Sequence, residues 1–241
     1  MFGLFKRKKS LVESGLLEGA SDTHSHILSG VDDGVRTFEE SLAILRFLEG
    51  AGLKKLWLTP HIMEDVPNET AALKEKYEAF KARYDGPIEF HLSAENMIDN
   101  LYEVRLKAKD LIPHQGDLVL VETSTWMSPL DLWGALERTF SAGFRPIVAH
   151  PERYRYMSMA DYDRLMKMGC ILQLNLPSII GVYGETARDK AEALLRKGYY
   201  SMVGSDCHRY NAITAQYSAK VLDQDMIELL RPVMAGEVKL Q

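Results

Sequence analysis

Eight side chains able to bind metal follow short apolar segments of the sequence, and their spacing is the strongest chemical signal in the chain. His24 and His26 are separated by one residue, and Asp206 and His208 repeat that spacing. Residues i and i+2 of a strand point to the same side, so each pair can reach one ion. The remaining four candidates are His61, Glu95, Glu122 and His150. Imidazole and carboxylate ligands without cysteine indicate zinc, manganese or iron.

The number of candidate ligands predicts more than one ion. Eight ligands exceed the four that a tetrahedral ion takes, so we expect two to three divalent ions with a bridging carboxylate. Multinuclear sites activate water and bind the oxygens of a phosphoryl group, which predicts a metal-dependent phosphoesterase. A single histidine beside a strand is more often a hydrogen-bonded structural residue, and His91 and His114 are interpreted in that way.

These residues lie where alternating strands and helices would bring them together. Each predicted strand is followed by a polar turn and an amphipathic helix, an order that favours parallel strands with right-handed crossovers. The candidates end or closely follow their strands, at the face where parallel barrels build active sites. We therefore predict an α/β fold, a distorted (β/α)7 barrel with the metal site at the C-terminal strand ends. The predicted strands span 20–25, 55–59, 88–93, 118–122, 146–149, 171–175 and 200–204.

Local signals predict where several helices begin. Thr37 and Glu40 have the spacing of a capping box before a helix over 41–51. Asn68 is the expected cap of a long charged helix, and Ser128 with Pro129 is expected to open a helix over 130–142. A helix over 185–196 should end at a lysine-glycine pair.

Composition narrows the class of protein and its compartment. The chain has 241 residues, 29 basic and 34 acidic, and its net charge of -5 argues against nucleic-acid binding. Two cysteines and the lack of a long apolar run favour a cytoplasmic protein. We expect an N-terminal extension over 1–16 and one domain over 17–241. Phe2, Leu4 and Phe5 beside basic residues 6–9 could make a peripheral membrane contact, the alternative being a solvated tail.

Several motifs together resemble the polymerase-and-histidinol-phosphatase (PHP) superfamily and, more narrowly, its bacterial capsular-polysaccharide protein-tyrosine phosphatases. The resemblance runs from about Leu17 to Arg209. It implies a distorted (β/α)7 barrel with a trinuclear site of manganese, iron or zinc. It also implies hydrolysis of phosphotyrosine on the tail of a membrane-associated tyrosine autokinase that governs polysaccharide assembly. The motifs are Asp22-Thr-His-Ser-His26, Val31-Asp-Asp-Gly34, Thr59-Pro-His61, Glu95, Glu122, Ala149-His-Pro-Glu-Arg-Tyr154 and Gly204-Ser-Asp-Cys-His208.

The resemblance also implies roles for single residues. The eight candidate ligands match metal-binding positions, while Asp33 and Arg153 match positions near the leaving group and the phosphate. Arg153 would bind phosphate oxygens through its guanidinium, the alternative being an ion pair with Glu152 or another surface carboxylate. Asp33 is the candidate general acid, the alternative being an ordinary turn residue before Gly34.

Two other functions remain compatible with this sequence. A small-molecule phosphatase of the histidinol-phosphate type could use the same metal site. A non-catalytic module that docks a kinase could keep the barrel, although the complete set of candidate ligands argues against it. The sequence carries no signal for an oligomeric state.

Overall fold

Short parallel strands alternate with helices along the computed structural model, which describes residues 7–236. Each strand pair in the two sheets is parallel, so the predicted α/β class is confirmed. The strands are β1 Ser21–Asp22, β2 Lys55–Leu58, β3 His61–Ile62, β4 Glu89–Leu92, β5 Glu95–Met97, β6 Leu118–Glu122, β7 Arg145–Ala149, β8 Ile171–Asn175 and β9 Tyr200–Gly204.

Two short strands, β3 and β5, follow closely after the strands predicted over 55–59 and 88–93 and were not themselves predicted. Thr59 and Pro60 separate β2 from β3, and Ser93 and Ala94 separate β4 from β5. One sheet has the order β1-β2-β4, and the other has the order β3-β5-β6-β7-β8-β9. The chain therefore passes from the first sheet into the second at both interruptions.

Main-chain hydrogen bonds also connect the residues after β1 to those of β9 and just beyond it. Thr23 N donates to Val203 O at 2.9 Å, and His26 N donates to Cys207 O at 3.0 Å. Ser25 and Cys207 form an isolated parallel bridge. The first and last strands of the fold are thus neighbours.

The helices are α1 Leu11–Ser14, α2 Phe38–Gly50, α3 Thr70–Ala82, α4 Asn100–Ala108, α5 Leu132–Ser141, α6 Met159–Met168, α7 Leu176–Ile179, α8 Glu185–Arg196, α9 Tyr210–Ser218 and α10 Gln224–Met234. One turn of 3-10 helix over Pro151–Arg153 follows β7. Among residues 7–236, no helix has the length and apolarity needed to cross a membrane.

The predicted helix starts are partly correct. Thr37 caps α2 by accepting from Glu40 N at 3.2 Å. The prediction for Asn68 is wrong, because its side chain donates to two carbonyls outside α3, those of Val31 and His61. The prediction for Ser128 is also wrong: α5 begins after Asp131, whose carboxylate accepts from a main-chain N–H of the first turn. A carboxylate with that bond is a good N-cap, and it sets the start later than the serine would.

The central strands β6 and β8 are buried on both faces, as expected for parallel strands covered by helices. Every residue of β6 and β8 is buried. One side packs into the main core, while Leu118, Leu120, Ile147, Ala149 and Ile171 form a separate smaller cluster.

The described part of the predicted N-terminal extension packs on the domain. Leu11 and Leu16 are buried, and Lys9 exchanges two main-chain hydrogen bonds with Leu222, which precedes α10. Phe2, Leu4 and Phe5, the residues of the predicted membrane contact, lie outside the described residues.

Candidate metal centre

All eight metal-competent side chains predicted from the sequence lie at or just beyond C-terminal strand ends, counting β2–β3 and β4–β5 as continuous units. The fold brings them to one side of the sheets, because parallel strands end at the same edge. Six of the eight are buried, and the other two, His61 and His208, are half-buried. Seven of them, together with Asp33, form three overlapping groups, and His150 lies beside these groups.

The first group consists of His24, His26, Glu95 and Asp206. His24 Nε2, His26 Nε2 and Glu95 Oε2 lie 3.1 Å from one another. Asp206 Oδ1 lies 3.6 Å from the first imidazole nitrogen and 3.4 Å from the second. Ligand atoms about 2.1 Å from one divalent ion are separated by about 3.0–3.4 Å. Four of these five separations fit one ion, and the separation of His24 from Asp206 is slightly longer.

The second group consists of His61, Glu95 and Glu122. His61 Nδ1 lies 3.2 Å from Glu95 Oε2 and 3.2 Å from Glu122 Oε1. Neither His61 Nδ1 nor Glu95 Oε2 has a hydrogen-bond partner, although both atoms are buried. Unsatisfied buried polar atoms are costly, and a cation between them removes that cost. His150 lies beside this group, with Nε2 3.0 Å from Glu95 Oε1.

The third group consists of His26, Asp33, His61 and His208. Asp33 Oδ1 lies 3.5 Å from Nε2 of both His61 and His208. Glu95 belongs to the first two groups, and His61 to the last two. The donors therefore fit two or three ions that share ligands.

Two residues that the sequence analysis missed orient the histidines of the first group. Asp32 Oδ2 accepts from His26 Nδ1 at 2.8 Å, and Gln173 Oε1 accepts from His24 Nδ1 at the same distance. Each contact fixes a ring so that its Nε2 faces the other ligand atoms, as is usual for metal-binding histidines. The position of Asp32 six residues after His26 is only a weak sequence signal for this contact. No sequence signal predicts the contact between Gln173, on β8, and His24.

The backbone is held in unfavourable conformations beside the site. His150 has φ 34° and Asp206 has φ 51°, both in the left-handed region that side chains other than glycine rarely adopt. Such strain persists where surrounding structure imposes it and is concentrated at functional sites. Here it turns two chain segments immediately after β7 and β9 toward the cluster.

The charges of the cluster suit cations. Burial opposes ionisation of Glu95, but His24 and His61 outweigh it and lower the pKa of that carboxyl well below its usual range. The hydrogen bond with His208 and the charges of the neighbouring imidazoles lower the pKa of Asp33 to about 2. The carboxylates of Glu95 and Asp33 are therefore ionised at neutral pH and supply negative charge that divalent ions need.

A cavity of about 220 Å³ opens onto the second and third groups. Arg153 and Tyr183 form part of its wall, with the guanidinium 4.2 Å from the centre of the tyrosine ring. Arg153 donates to Asp206 Oδ2 at 2.6 Å and makes no ion pair with Glu152. The carboxylate of Glu152 is instead buried and accepts from Asn175 N, Ser178 and Tyr200.

The protein is similar in sequence to known tyrosine phosphatases. It is 26% identical over 243 residues to the tyrosine-protein phosphatase CpsB of Streptococcus pneumoniae, covering 90% of this chain and 99% of that protein. It is also 26% identical over 194 residues to the tyrosine-protein phosphatase YwqE of Bacillus subtilis, covering 78% of this chain and 76% of that one.

The fold is shared with a solved structure of this group. A chain from the crystal structures of YwqE and CpsB, described as unique metal-dependent tyrosine phosphatases, superposes with a TM-score of 0.76 at 24% identity. The match covers 90% of this chain and 88% of that one. The family model for capsular polysaccharide synthesis, CpsB/CapC, matches residues 20–223, most of the chain. This protein therefore belongs to the CpsB/CapC family.

Proposed function

We propose that this protein is a metal-dependent protein-tyrosine phosphatase that hydrolyses phosphotyrosine in a protein substrate. The observation that carries the proposal is the convergence of His24, Glu95 and Asp206 with His26, at separations of 3.1 to 3.6 Å. Family membership and relatives named tyrosine-protein phosphatases support the same reaction.

The metal ligands in this proposal are the eight residues of the cluster. Two to three ions of manganese, iron or zinc would be held, and Glu95 would be a ligand through oxygens that both contact imidazoles. When bound, such ions supply Lewis-acid activation of water and neutralise charge on a phosphoryl group. The proposed ligands are His24, His26, His61, Glu95, Glu122, His150, Asp206 and His208.

Arg153 binds the non-bridging oxygens of the phosphate in this scheme. Its contacts with Asp206 and Tyr183 hold the guanidinium at the wall of the cavity. Five N–H donors in a planar fork leave several free for phosphate while one donates to the aspartate. The arginine thus positions the substrate from the protein side.

Two alternative roles for Asp33 can be distinguished by one experiment. The leaving phenolate has a pKa near 10, so a proton donor would help it depart. The position of Asp33 between His61 and His208 favours a residue that positions these two histidines over a proton donor. An Asp33→Asn variant should then lose equal activity on phosphotyrosine and on an activated aryl phosphate. A larger loss on phosphotyrosine would assign the general-acid role.

Backbone hydrogen bonds between the first and last strands suggest how the strands form a barrel. If β2–β3 and β4–β5 each count as one strand, the hydrogen bonds between the residues after β1 and those around β9 complete a circle of seven strands. We infer a distorted (β/α)7 barrel, with residues 17–241 as its domain and the metal cluster at one mouth.

The substrate that fits best is an exposed tail of a tyrosine autokinase of capsular polysaccharide synthesis. The family description supplies that process, and the cavity supports a protein substrate because it adjoins a second cavity of about 630 Å³. A small metabolite would be expected to occupy a closed pocket instead.

The test is hydrolysis of a tyrosine-phosphorylated peptide by the purified protein, with manganese added or with a chelator. Activity should require metal and should fall by at least about 100-fold in His150→Ala, because the change removes a proposed ligand. His91→Ala is the matched control, since this histidine stacks on Trp57 outside the cluster. If the metal-loaded protein hydrolyses only small phosphate esters, it is a small-molecule phosphatase and not a protein-tyrosine phosphatase. No hydrolysis at all would favour a non-catalytic docking module.

A further inference from the structure

A second cavity lies directly beside the cavity of about 220 Å³ at the metal cluster, and the two share two lining residues. Its volume is about 630 Å³, within the range of pockets that bind ligands. Arg153 and Tyr183 line both cavities. Thr125 and Trp126, after β6, line the larger cavity together with the segment that leads into α8. We call this larger cavity the flanking groove.

The flanking groove carries positive charge without a carboxylate partner. Among the described residues, Arg155 has no carboxylate oxygen within 4.0 Å, and its exposed guanidinium lies 3.6 Å from the centre of the Trp126 ring. Lys190 donates to the carbonyls of Tyr154 and Met157 and forms no ion pair with a carboxylate in residues 7–236. An anionic group in the groove would therefore meet two cations that have no ion-pair partner.

Two acidic residues, Glu152 and Glu185, also line the groove. Glu152 is buried and uses both carboxylate oxygens for internal hydrogen bonds. Glu185 is exposed at the start of α8, where the positive end of the helix dipole favours a carboxylate. Neither residue forms an ion pair with Arg155.

Exposed apolar side chains continue the same surface. Trp126 is 64% exposed and Met127 is 74% exposed, both on the loop between β6 and α5. Val182, on the opposite side of the groove, is also exposed. Adjacent exposed apolar residues characteristically mark an interaction site. A polypeptide with both apolar and acidic side chains matches these two properties.

We propose that the flanking groove binds the residues next to the phosphotyrosine of the substrate, and that Arg155 selects an acidic side chain among them. This inference rests on the proposed phosphatase function. The two cavities share a wall, so the acidic residue lies within about three positions of the phosphotyrosine, at about 3.3 Å per extended residue. Stacking on Trp126 holds the guanidinium of Arg155 in place for this contact.

The experiment compares two phosphotyrosine peptides of equal length, one with glutamate and one with lysine at the flanking positions. The wild type should hydrolyse the acidic peptide with a kcat/KM about fivefold higher, the scale of an exposed ion pair. Arg155→Glu should reverse the preference. Lys107→Glu makes the same charge change at an exposed position on α4, and it should leave the preference as in the wild type.

A binding measurement separates this inference from the proposed function. Fluorescence anisotropy with phosphonate analogues of the two peptides, which cannot be hydrolysed, should give the same ratio as Kd values. Trp126→Ala should reduce that ratio, because it removes the stacking partner of Arg155.

Equal kcat/KM and Kd values for the two peptides in both the wild type and Arg155→Glu would overturn the role of the groove while leaving the phosphatase intact. Failure of the metal-loaded wild type to hydrolyse either peptide would overturn the phosphatase instead.

Discussion

At the scale of single residues, Asp32 connects the turn before α2 to the metal cluster. Its carboxylate accepts from His26 Nδ1 at 2.8 Å, from His61 N at 3.0 Å and from Gly34 N at 2.9 Å. All three partners are donors, so the residue must supply acceptors only. A carboxylate meets this requirement, whereas an amide presents one acceptor and one donor.

We therefore expect Asp32→Asn to weaken metal binding by about 10- to 100-fold, the usual effect of removing an orienting partner from a metal-binding histidine. The amide would turn its N–H2 group toward at least one N–H donor, and the ring of His26 would lose its fixed orientation. Isothermal titration calorimetry with manganese measures the effect. Asp117→Asn, at an exposed position before β6, is the control and should bind as the wild type does. Unchanged affinity in Asp32→Asn would show that the ring is held by other contacts.

At the scale of elements, the junction of β9 with the segment after β1 tolerates only glycine at position 204. A Cβ placed on Gly204 would lie 2.4 Å from the Cβ of His24, a separation that real structures do not show. The two chain segments would have to move apart, and the first metal group contains His24.

Gly204→Ala should accordingly lower the free energy of unfolding by about 1–3 kcal/mol, the usual cost of inserting a methyl group into a packed interior. It should also weaken metal binding. Urea unfolding and a manganese titration measure the two effects. Gly50→Ala provides the control, because this residue ends α2 with nothing within 4 Å of an added Cβ. That variant should be neutral or slightly more stable. Equal stability of both variants would mean that the junction adjusts without cost.

Several elements could be predicted from the sequence because the signals there are local. The predicted bounds of β6, β8, β9 and α8 agree with the structure, since apolar strands and a helix-stopping glycine need no tertiary information. The interruption at Pro60 was not predicted. It depends on how the chain crosses between two sheets.

The candidate site, too, could be predicted from the sequence only in part. The metal-competent residues follow strands, so their convergence was predictable from the order of the elements. The contact of Gln173 with His24 and that of Arg153 with Asp206 join residues far apart in sequence. No spacing or composition reveals them, because they depend on how segments far apart in the chain are placed beside one another in the fold.

At the scale of the whole molecule, a buried neutral histidine links stability to pH. His114 is buried, stacks on Trp57 with the ring centres 4.8 Å apart, and makes a hydrogen bond of 3.0 Å with Thr23 O. Burial lowers the pKa of His114 to about 3. The unfolded chain has an ordinary histidine pKa of about 6.5, so below that pH the unfolded state binds a proton that the folded state does not.

The contribution of His114 to the free energy of unfolding should therefore fall as the pH drops below about 6.5, by about 1.4 kcal/mol for each pH unit. Between about pH 7.5 and 5.5 the wild type should lose about 1.4 kcal/mol more than His114→Gln, which keeps an N–H for Thr23 O. Urea unfolding in the presence of a chelator measures both losses. His91→Gln, at a partly exposed histidine on the other face of Trp57, should show a smaller difference. Equal losses in the wild type and His114→Gln would exclude this residue as the source.

The carboxylate of Glu95, which two of the three metal groups share, makes the centre vulnerable in an evolutionary sense. A lineage that kept the barrel only as a scaffold could abandon catalysis through one substitution at this position, with every other donor still in place. Among sequences related to this one, position 95 is therefore the first to inspect when separating working enzymes from pseudoenzymes.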